Sequence, residues 1–375
     1  VEDFVTADPD GAGPIVAGFA GKVGEKADAD ANPDGPRVGV IWGGAKCLLD
    51  RPYYLLLEDA APQPRLAMVV AERLNAAFHA AGDPSGKLAD AKVQGKPLVV
   101  AAVPPAYRLN HPRFLLVARQ VPLNPVPADS PYRKQLENDL LRPESAITAA
   151  LKLEALGADS RQPLRVGLES ENDWVRFAAA EALAYLGHPD GAKALGEVAR
   201  KHPALRAQCL TALSSLDDGV CLDELVHLMA DPDPRLRYGA FVALRLADEN
   251  HEAVRGVKVN DSYWLHHVCP DADPAHVDPL VHVSTAKRAE VVVFGPVAPV
   301  RGPFTFPLGK DFTAAMSAGD PGVTITRVAT KNGEPVAVER KCRADVADVL
   351  ATLASSAAGT RRRSSSSAGR RRPRS

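Results

Sequence analysis

Cysteine, aromatic residues and long apolar runs are all scarce in this 375-residue chain, and each scarcity removes a class of protein. The five cysteines, Cys47, Cys209, Cys221, Cys269 and Cys342, show no C-x-x-C spacing, so neither a disulfide framework nor a zinc finger is indicated. No run of about 18 apolar residues occurs, and no membrane span is expected. Nucleophile elbow, H-E-x-x-H, dinucleotide fingerprint and paired carboxylates in a motif context are all missing. The sequence therefore assigns no catalytic, cofactor-binding or metal-binding residue, and the expectation is a non-enzymatic protein without cofactor or small-molecule substrate. A net charge of −1 conceals an asymmetry, because seven arginines and no acid lie in the last fifteen residues. Without those seven, acidic residues outnumber basic ones by eight, which leaves no nucleic-acid footprint on the folded part. With 46% apolar and 24% charged residues, the composition is that of a soluble globular protein of two or three domains. The chain begins at Val1 rather than methionine, so a fragment or processed product is expected, and a missing signal peptide says nothing about export.

What the chain does have is a period. Between residues 146 and 250 small and apolar residues return every 30 positions: Ala150, Ala180, Leu210, Ala240; Leu153, Leu183, Leu213, Ala243; Leu156, Leu186, Leu216, Leu246. Within each copy the i, i+3, i+6 spacing lines one helical face, and Leu168, Val198 and Leu228 mark a second helix upstream. Asp173 and Asp233 read as N-caps, with Pro234 in the first helical position. Gly157 and Gly187 read as left-handed helix stops. One pair of short helices cannot bury its own apolar face, so such units must stack. The copies "DWVRFAAAEALAYLG" and "PRLRYGAFVALRLAD" resemble HEAT repeats of the short, roughly 30-residue kind. Arg176 and Arg206, one repeat apart, read as ladder residues between repeats. Trp174 and Tyr238 read as staples of the stack, with an exposed partner anchor as the alternative.

Residues 1–36, rich in Gly, Pro, Asp and Ala, read as a loop-rich segment with a short strand at Pro14 to Phe19. Gly21-Lys22 lacks the glycine and hydroxyl of a phosphate loop, since Val16 and Val23 stand in those places. Asp30, Asn32, Asp34 and Gly35 fit half a calcium loop, but Ile41 stands where its bidentate acid belongs, and a solvated turn is the preferred reading.

Residues 37–125 read as a compact α+β unit. Strands are expected at Val38 to Trp42 and Tyr53 to Leu57 around Gly43-Gly44, and a helix at Arg65 to Ala81 stopped by Gly82. That helix faces inward through Leu66, Val69, Val70, Leu74, Ala77 and Phe78. A buried strand follows at Leu98 to Val103, then a helix capped by Asn110 with Phe114, Val117 and Ala118 inward, then an edge strand at Val121 to Leu123. The segments "RPYYLLLEDAAPQPRLAMVVAERLNAAFH" and "ADAKVQGKPLVVAAVPPAYRLNHPRFLLVARQVPL" resemble the middle domain of the flagellar basal-body P-ring protein family over roughly 90 residues. The family's long glycine-rich front is mostly missing, and the helical repeats are inserted after Leu123. The resemblance implies a homo-oligomeric periplasmic ring around the flagellar rod, with rod or ring components and self-association as its protein partners.

Residues 126–145 read as a Pro-rich linker leading into the repeats. Residues 251–354 read as a small β-rich domain. Its strands are expected at Val281 to Ser284, Glu290 to Phe294 (both faces covered), Phe304 to Leu308, Val323 to Val328 and Val336 to Glu339, with a helix at Asp345 to Leu353. Between 261 and 282, His266, His267, Cys269, Asp271, Asp273, His276 and His282 bring soft and borderline ligands together without motif spacing, so a polar surface loop is preferred over a zinc site. The element order resembles the C-terminal part of HEAT-containing P-ring relatives. Residues 355–375 are expected to be disordered.

The fold class that follows is α+β and multi-domain: an α/β N-terminal domain, a central helical array and a β-rich C-terminal domain. Functionally the P-ring-like structural protein leads, a HEAT-type adaptor is the alternative, and an enzyme like the phycobilin-lyase HEAT proteins has no residue beyond the repeat to support it.

Overall fold

A computed structural model describes residues 52–57, 64–78, 88–92, 98–259, 263–268, 278–285, 289–295, 298–308, 311–331 and 334–364, and a short ladder pairing β1 (Thr6–Ala7) with β2 (Gly13–Pro14). The expected strand at Val38 to Trp42, the Gly43-Gly44 turn, Gly21-Lys22, the Asp30 to Gly35 turn, the Gly82 stop and residues 365–375 lie outside the described residues. The class is mixed α+β, with eleven α-helices and three small sheets besides the β1–β2 ladder among the described residues. These elements fall into two compact units, Leu49–His251 and a second that takes the chain from Glu252 onward.

The first unit opens with β3 (Tyr53–Leu56), α1 (Pro64–Ala77), β4 (Ala89–Lys92) and β5 (Leu98–Ala101), an antiparallel sheet in the order β3-β5-β4. Helix α1 buries Ala67, Ala71, Leu74 and Phe78, while the expected Leu66, Val69 and Val70 are half-buried. Alanines at the closest approach let the helix settle on the sheet. Asn75 replaces a missing strand neighbour, donating to Ala89 O and accepting from Ala89 N, both at 2.8 Å. After a 3-10 turn (Pro105–Tyr107) comes α2 (His111–Ala118), capped by Asn110, whose side chain accepts from Arg113 N at 3.1 Å. Val121 to Leu123 is not a strand: Pro122 has no N–H for a ladder, and its carbonyl accepts from Arg73 Nε at 3.0 Å. The expected linker contains α3 (Pro131–Leu140), because Ser130 caps it, Pro131 suits its first turn, and Leu136 and Leu140 have a core to enter.

Helices α4 (Ala146–Ala155), α5 (Arg161–Leu168), α6 (Asp173–Tyr185), α7 (Ala192–Lys201), α8 (Arg206–Leu213), α9 (Gly219–Leu228) and α10 (Pro234–Ala247) follow. They alternate between two layers, α4, α6, α8 and α10 in one and α3, α5, α7 and α9 in the other. The first two 30-residue series are buried throughout, and Val198 and Leu228 with them. In the third, Leu156, Leu186 and Leu216 are half-buried and Leu246 is exposed. Asp233 caps α10, its side chain accepting from Arg235 N at 2.8 Å. The cap of α6 is Asn172, which accepts from Trp174 N at 2.9 Å, so Asp173 is one residue inside the helix and free to pair elsewhere. Gly157 and Gly187 have φ of 86° and 83°, the left-handed stops their positions require.

The alanine run of α6 has a packing cause. A Cβ on Gly191 would lie 2.7 Å from Ala180 Cα and 2.9 Å from its carbonyl oxygen, and one on Gly167 would lie 2.7 Å from Ala179 Cβ. Because the obstacle at Gly191 is backbone, no rotamer change relieves it. Gly191→Ala is expected to destabilise the unit by about 1–3 kcal/mol. Thermal melting followed by helical circular dichroism checks this, and an unchanged midpoint would contradict the close approach.

In the second unit, β6 (Gly256–Val259), β7 (Tyr263–Val268), β8 (Leu280–Ser284) and β9 (Glu290–Phe294) form a sheet in the order β6-β7-β9-β8, with β7 parallel to β9. The surface loop expected over 261–279 is overturned at its start, where Tyr263–Val268 is an interior strand. Its alternating Trp264, His266 and Val268 pack as a strand face, a pattern hidden by the density of polar residues that follows. In β9, Glu290, Val292, Val293 and Phe294 are buried, in keeping with cover on both faces.

Strands β10 (Phe304–Leu308), β11 (Phe312–Met316), β12 (Gly322–Lys331) and β13 (Glu334–Arg343) form an antiparallel meander. Helix α11 (Val346–Ser364) lies on β12 and β13. The expected disorder after Ala354 is corrected as far as Ser364: Ala, Ser and Arg carry no proline to break the helix begun at Val346.

Candidate functional site

The greatest concentration of buried ionisable groups lies where α2 meets α4 and α6 in the first unit. Pro104-Pro105 follow β5 and turn the chain into the 3-10 turn, and the Asn110 cap then starts α2, so that Tyr107 and Arg113 reach the helices while Phe114 packs against Tyr53 and Phe78. Helix α6 is apolar on every side and buried from Phe177 to Tyr185, so Glu181 has no route to water. Glu154 is carried into the same place by the Ala/Leu face of α4.

Arg113 grips both carboxylates. Its Nη2 and Nε donate to Glu154 at 2.6 and 3.3 Å, and its Nη1 lies 2.5 Å from Glu181 Oε2. Tyr107 donates its hydroxyl to Glu154 at 2.6 Å and stacks on Tyr185, with ring centroids 4.8 Å apart and planes 15° from parallel. The guanidinium sits 4.7 Å from the centre of the Tyr185 ring, and Asn110 donates to the Tyr185 hydroxyl at 2.9 Å. Burial pushes Glu154 and Glu181 up against the opposing pull of Arg113. Burial works to lower Arg113, but the two carboxylates outweigh it and hold it firmly charged. Burial raises Tyr185 to about 12, and burial followed by the Glu154 charge raises Tyr107 well above the usual phenol range, so both phenols stay neutral. The arrangement joins four chain segments, the 3-10 turn, α2, α4 and α6, and its charged groups are enclosed by protein.

Beside it runs a ladder of ion pairs along the helix pairs. Arg161 meets Asp190 at 3.0 Å, Arg200 meets Glu224 at 3.1 Å, and Arg206 meets Asp233 at 2.8 Å. Arg176 pairs with Glu197 of the next helix and with Asp173 at 3.2 Å. Arg176 thus joins α6 to α7, whereas Arg206, at the start of α8, reaches the cap of α10. His202 Nε2 lies 2.9 Å from Asp173 Oδ2, and that contact leads the effects that hold Asp173 below the usual carboxylate range. Asp190 and Glu197 are held low chiefly by Arg161 and Arg176, and Asp233 by the Arg235 amide. A lowered pKa places this support above the unfolded value and withdraws it as pH falls. Each rung is partly exposed and contributes little alone. The two repeat aromatics part company: Tyr238 is half-buried and stacked on Phe241, whereas Trp174 is 43% exposed beside His202, so it is not a buried staple.

The histidine cluster does not converge. His266 and His267 alternate across β7 and point to opposite faces. His266 Nδ1 lies 2.8 Å from Val254 O with its ring over Gly256, and His267 Nε2 lies 3.0 Å from Gly295 O. His282 is registered beside Val292, one whole strand away from His266. Cys269, Asp271, Asp273 and His276 lie outside the described residues, as does Cys47. Among the described residues no group of three His, Cys, Asp or Glu is placed to hold a metal. Cys209 and Cys221 are buried thiols, pushed up to about 12 by burial and then by neighbouring carboxylates, so they are poor nucleophiles. No helix among the described residues is long and apolar enough to cross a membrane.

Sequence reasoning did not anticipate the Arg113 joint. The signal was present in Glu181, a single acid inside "AAAEALA", where an all-round apolar helix leaves a carboxylate no exposed face, but not in Glu154, since "KLEAL" includes Lys152 and α4 has an exposed face. No family model, curated protein or solved structure matches the chain.

Proposed function

We propose that the chain is a non-enzymatic structural protein of the kind the flagellar basal-body P-ring component represents, a self-associating periplasmic part that surrounds the flagellar rod. In this reading residues 37–125 form the P-ring-like domain, 146–250 a HEAT-type array and 251–354 a β-rich domain. One observation carries it: Tyr107, Asn110 and Arg113, which lie in the second of the two segments that show the resemblance, clasp α4 and α6. A part that bears load needs its sheet and its helices held as one body, and a polar joint with fixed hydrogen-bond geometry does that better than apolar contact alone. Partners are then other copies of the chain and rod or ring proteins, with no small-molecule substrate and no nucleic acid.

Size-exclusion chromatography with light scattering tests the reading. Mass should rise with concentration toward a closed oligomer. A monomer at the highest concentration reached would overturn the ring assignment and leave the HEAT-type adaptor, for which exposed Trp174 supplies an anchor, aromatic residues being favoured at binding hot spots.

A further inference from the structure

We infer that the buried joint between α2, α4 and α6 holds one proton beyond its fixed charges and acts as a pH-sensitive latch, closed when Glu181 is protonated and loosened when that proton leaves for solvent. The inference starts from a count of the groups that face one another. The 3-10 turn contributes Tyr107, α2 and its cap contribute Arg113 and Asn110, α4 contributes Glu154, α6 contributes Glu181 and Tyr185, and α8 brings Cys209 near Glu181. Arg113 is the one cation among these groups, and it faces two carboxylates. Both phenols and the thiol are neutral, since burial raises all three. With both acids ionised the joint would carry an uncompensated negative charge inside the protein, and a buried group in that position takes up a proton instead.

Geometry selects the carboxyl that holds it. Glu154 accepts three hydrogen bonds, two from Arg113 and one from Tyr107, all of which favour its ionised form. Glu181 has a single contact, with Arg113 Nη1 at 2.5 Å. Burial raises Glu181 despite that contact. A pKa raised on folding contributes stability that is complete below the unfolded value and is lost as pH rises through the folded one. Once Glu181 ionises, two carboxylates compete for one guanidinium, and admitting water by lifting the eight-residue α2 from α4 and α6 relieves the charge.

Infrared spectroscopy of the full chain reads the proton directly. Wild type at neutral pH should show the carbonyl stretch of a protonated buried carboxylic acid. Glu181→Gln should abolish it, and Glu154→Gln should abolish it too, because a single carboxylate left opposite Arg113 ionises. Melting temperature should fall in wild type as pH rises from acidic to alkaline through the Glu181 transition, and Glu181→Gln should remove that fall. A wild type without the band, a band retained in either variant, or parallel pH profiles for wild type and Glu181→Gln would overturn the latch. If Glu181→Gln did not fold, absence of the band from wild type, or its retention in Glu154→Gln, would still overturn the latch. Oligomer mass is independent of all these readouts, so failure of the latch and failure of the structural role are separately visible.

Discussion

Leu183→Asp is expected to abolish the folded helical stack. Leu183 is fully buried in a cluster with Leu153, Leu164, Val175 and Ala179, where α4, α5 and α6 meet. Shortening a leucine at such a site costs about 2–5 kcal/mol by itself. The introduced carboxylate has no cation in that cluster and adds a desolvation penalty of similar size, or else takes up a proton and stays unpaired. Domain stability is about 5–15 kcal/mol, so one substitution removes most of it. The contrast is Leu246→Asp, in the third 30-residue series and 47% exposed, where a change within about 0.5 kcal/mol is expected. Circular dichroism melts of the two variants side by side check the pair. Equal effects would mean the 30-residue period does not mark the seam.

Arg113→Ala is the second large effect. It leaves Glu154 and Glu181 buried side by side with no cation between them, which costs about 3–5 kcal/mol. The size reflects the two stranded acids and not the strength of the ion pair. A triple replacement, Arg113→Met with Glu154→Leu and Glu181→Leu, is expected to recover most of the loss, because apolar packing of similar volume stabilises as well as a buried pair does. Urea unfolding of the single and triple variants separates these contributions.

Periodicity carried the helical part of the fold into the sequence, because buried faces of stacked helices demand apolar residues at fixed intervals. Ala180, Leu183 and Leu213 announce their own burial this way. Caps were legible to within a residue: Asp233 stands where it was placed, but Asn172 took the role given to Asp173, since either side chain can accept from the next turn. Strand β7 was obscured because His266 and His267 look like ligands until the backbone sends them to opposite faces. The Arg113 joint was illegible for a different reason. Its members lie on four separate segments, and only the fold brings Tyr107 and Arg113 to Glu154 and Glu181. A pairing between distant positions leaves no local pattern, so the site most distinctive of this molecule is the one a linear reading does not assemble.

Native-state hydrogen exchange shows whether sheet, α2 and helical stack open as one body through that joint. In wild type the amides of α2 should exchange through the same opening as those of α4 and α6, with a common free energy. In Arg113→Ala they should separate, α2 exchanging far sooner than α6. Wild-type α2 amides that already exchange independently of α6, at a much lower free energy, would contradict the account.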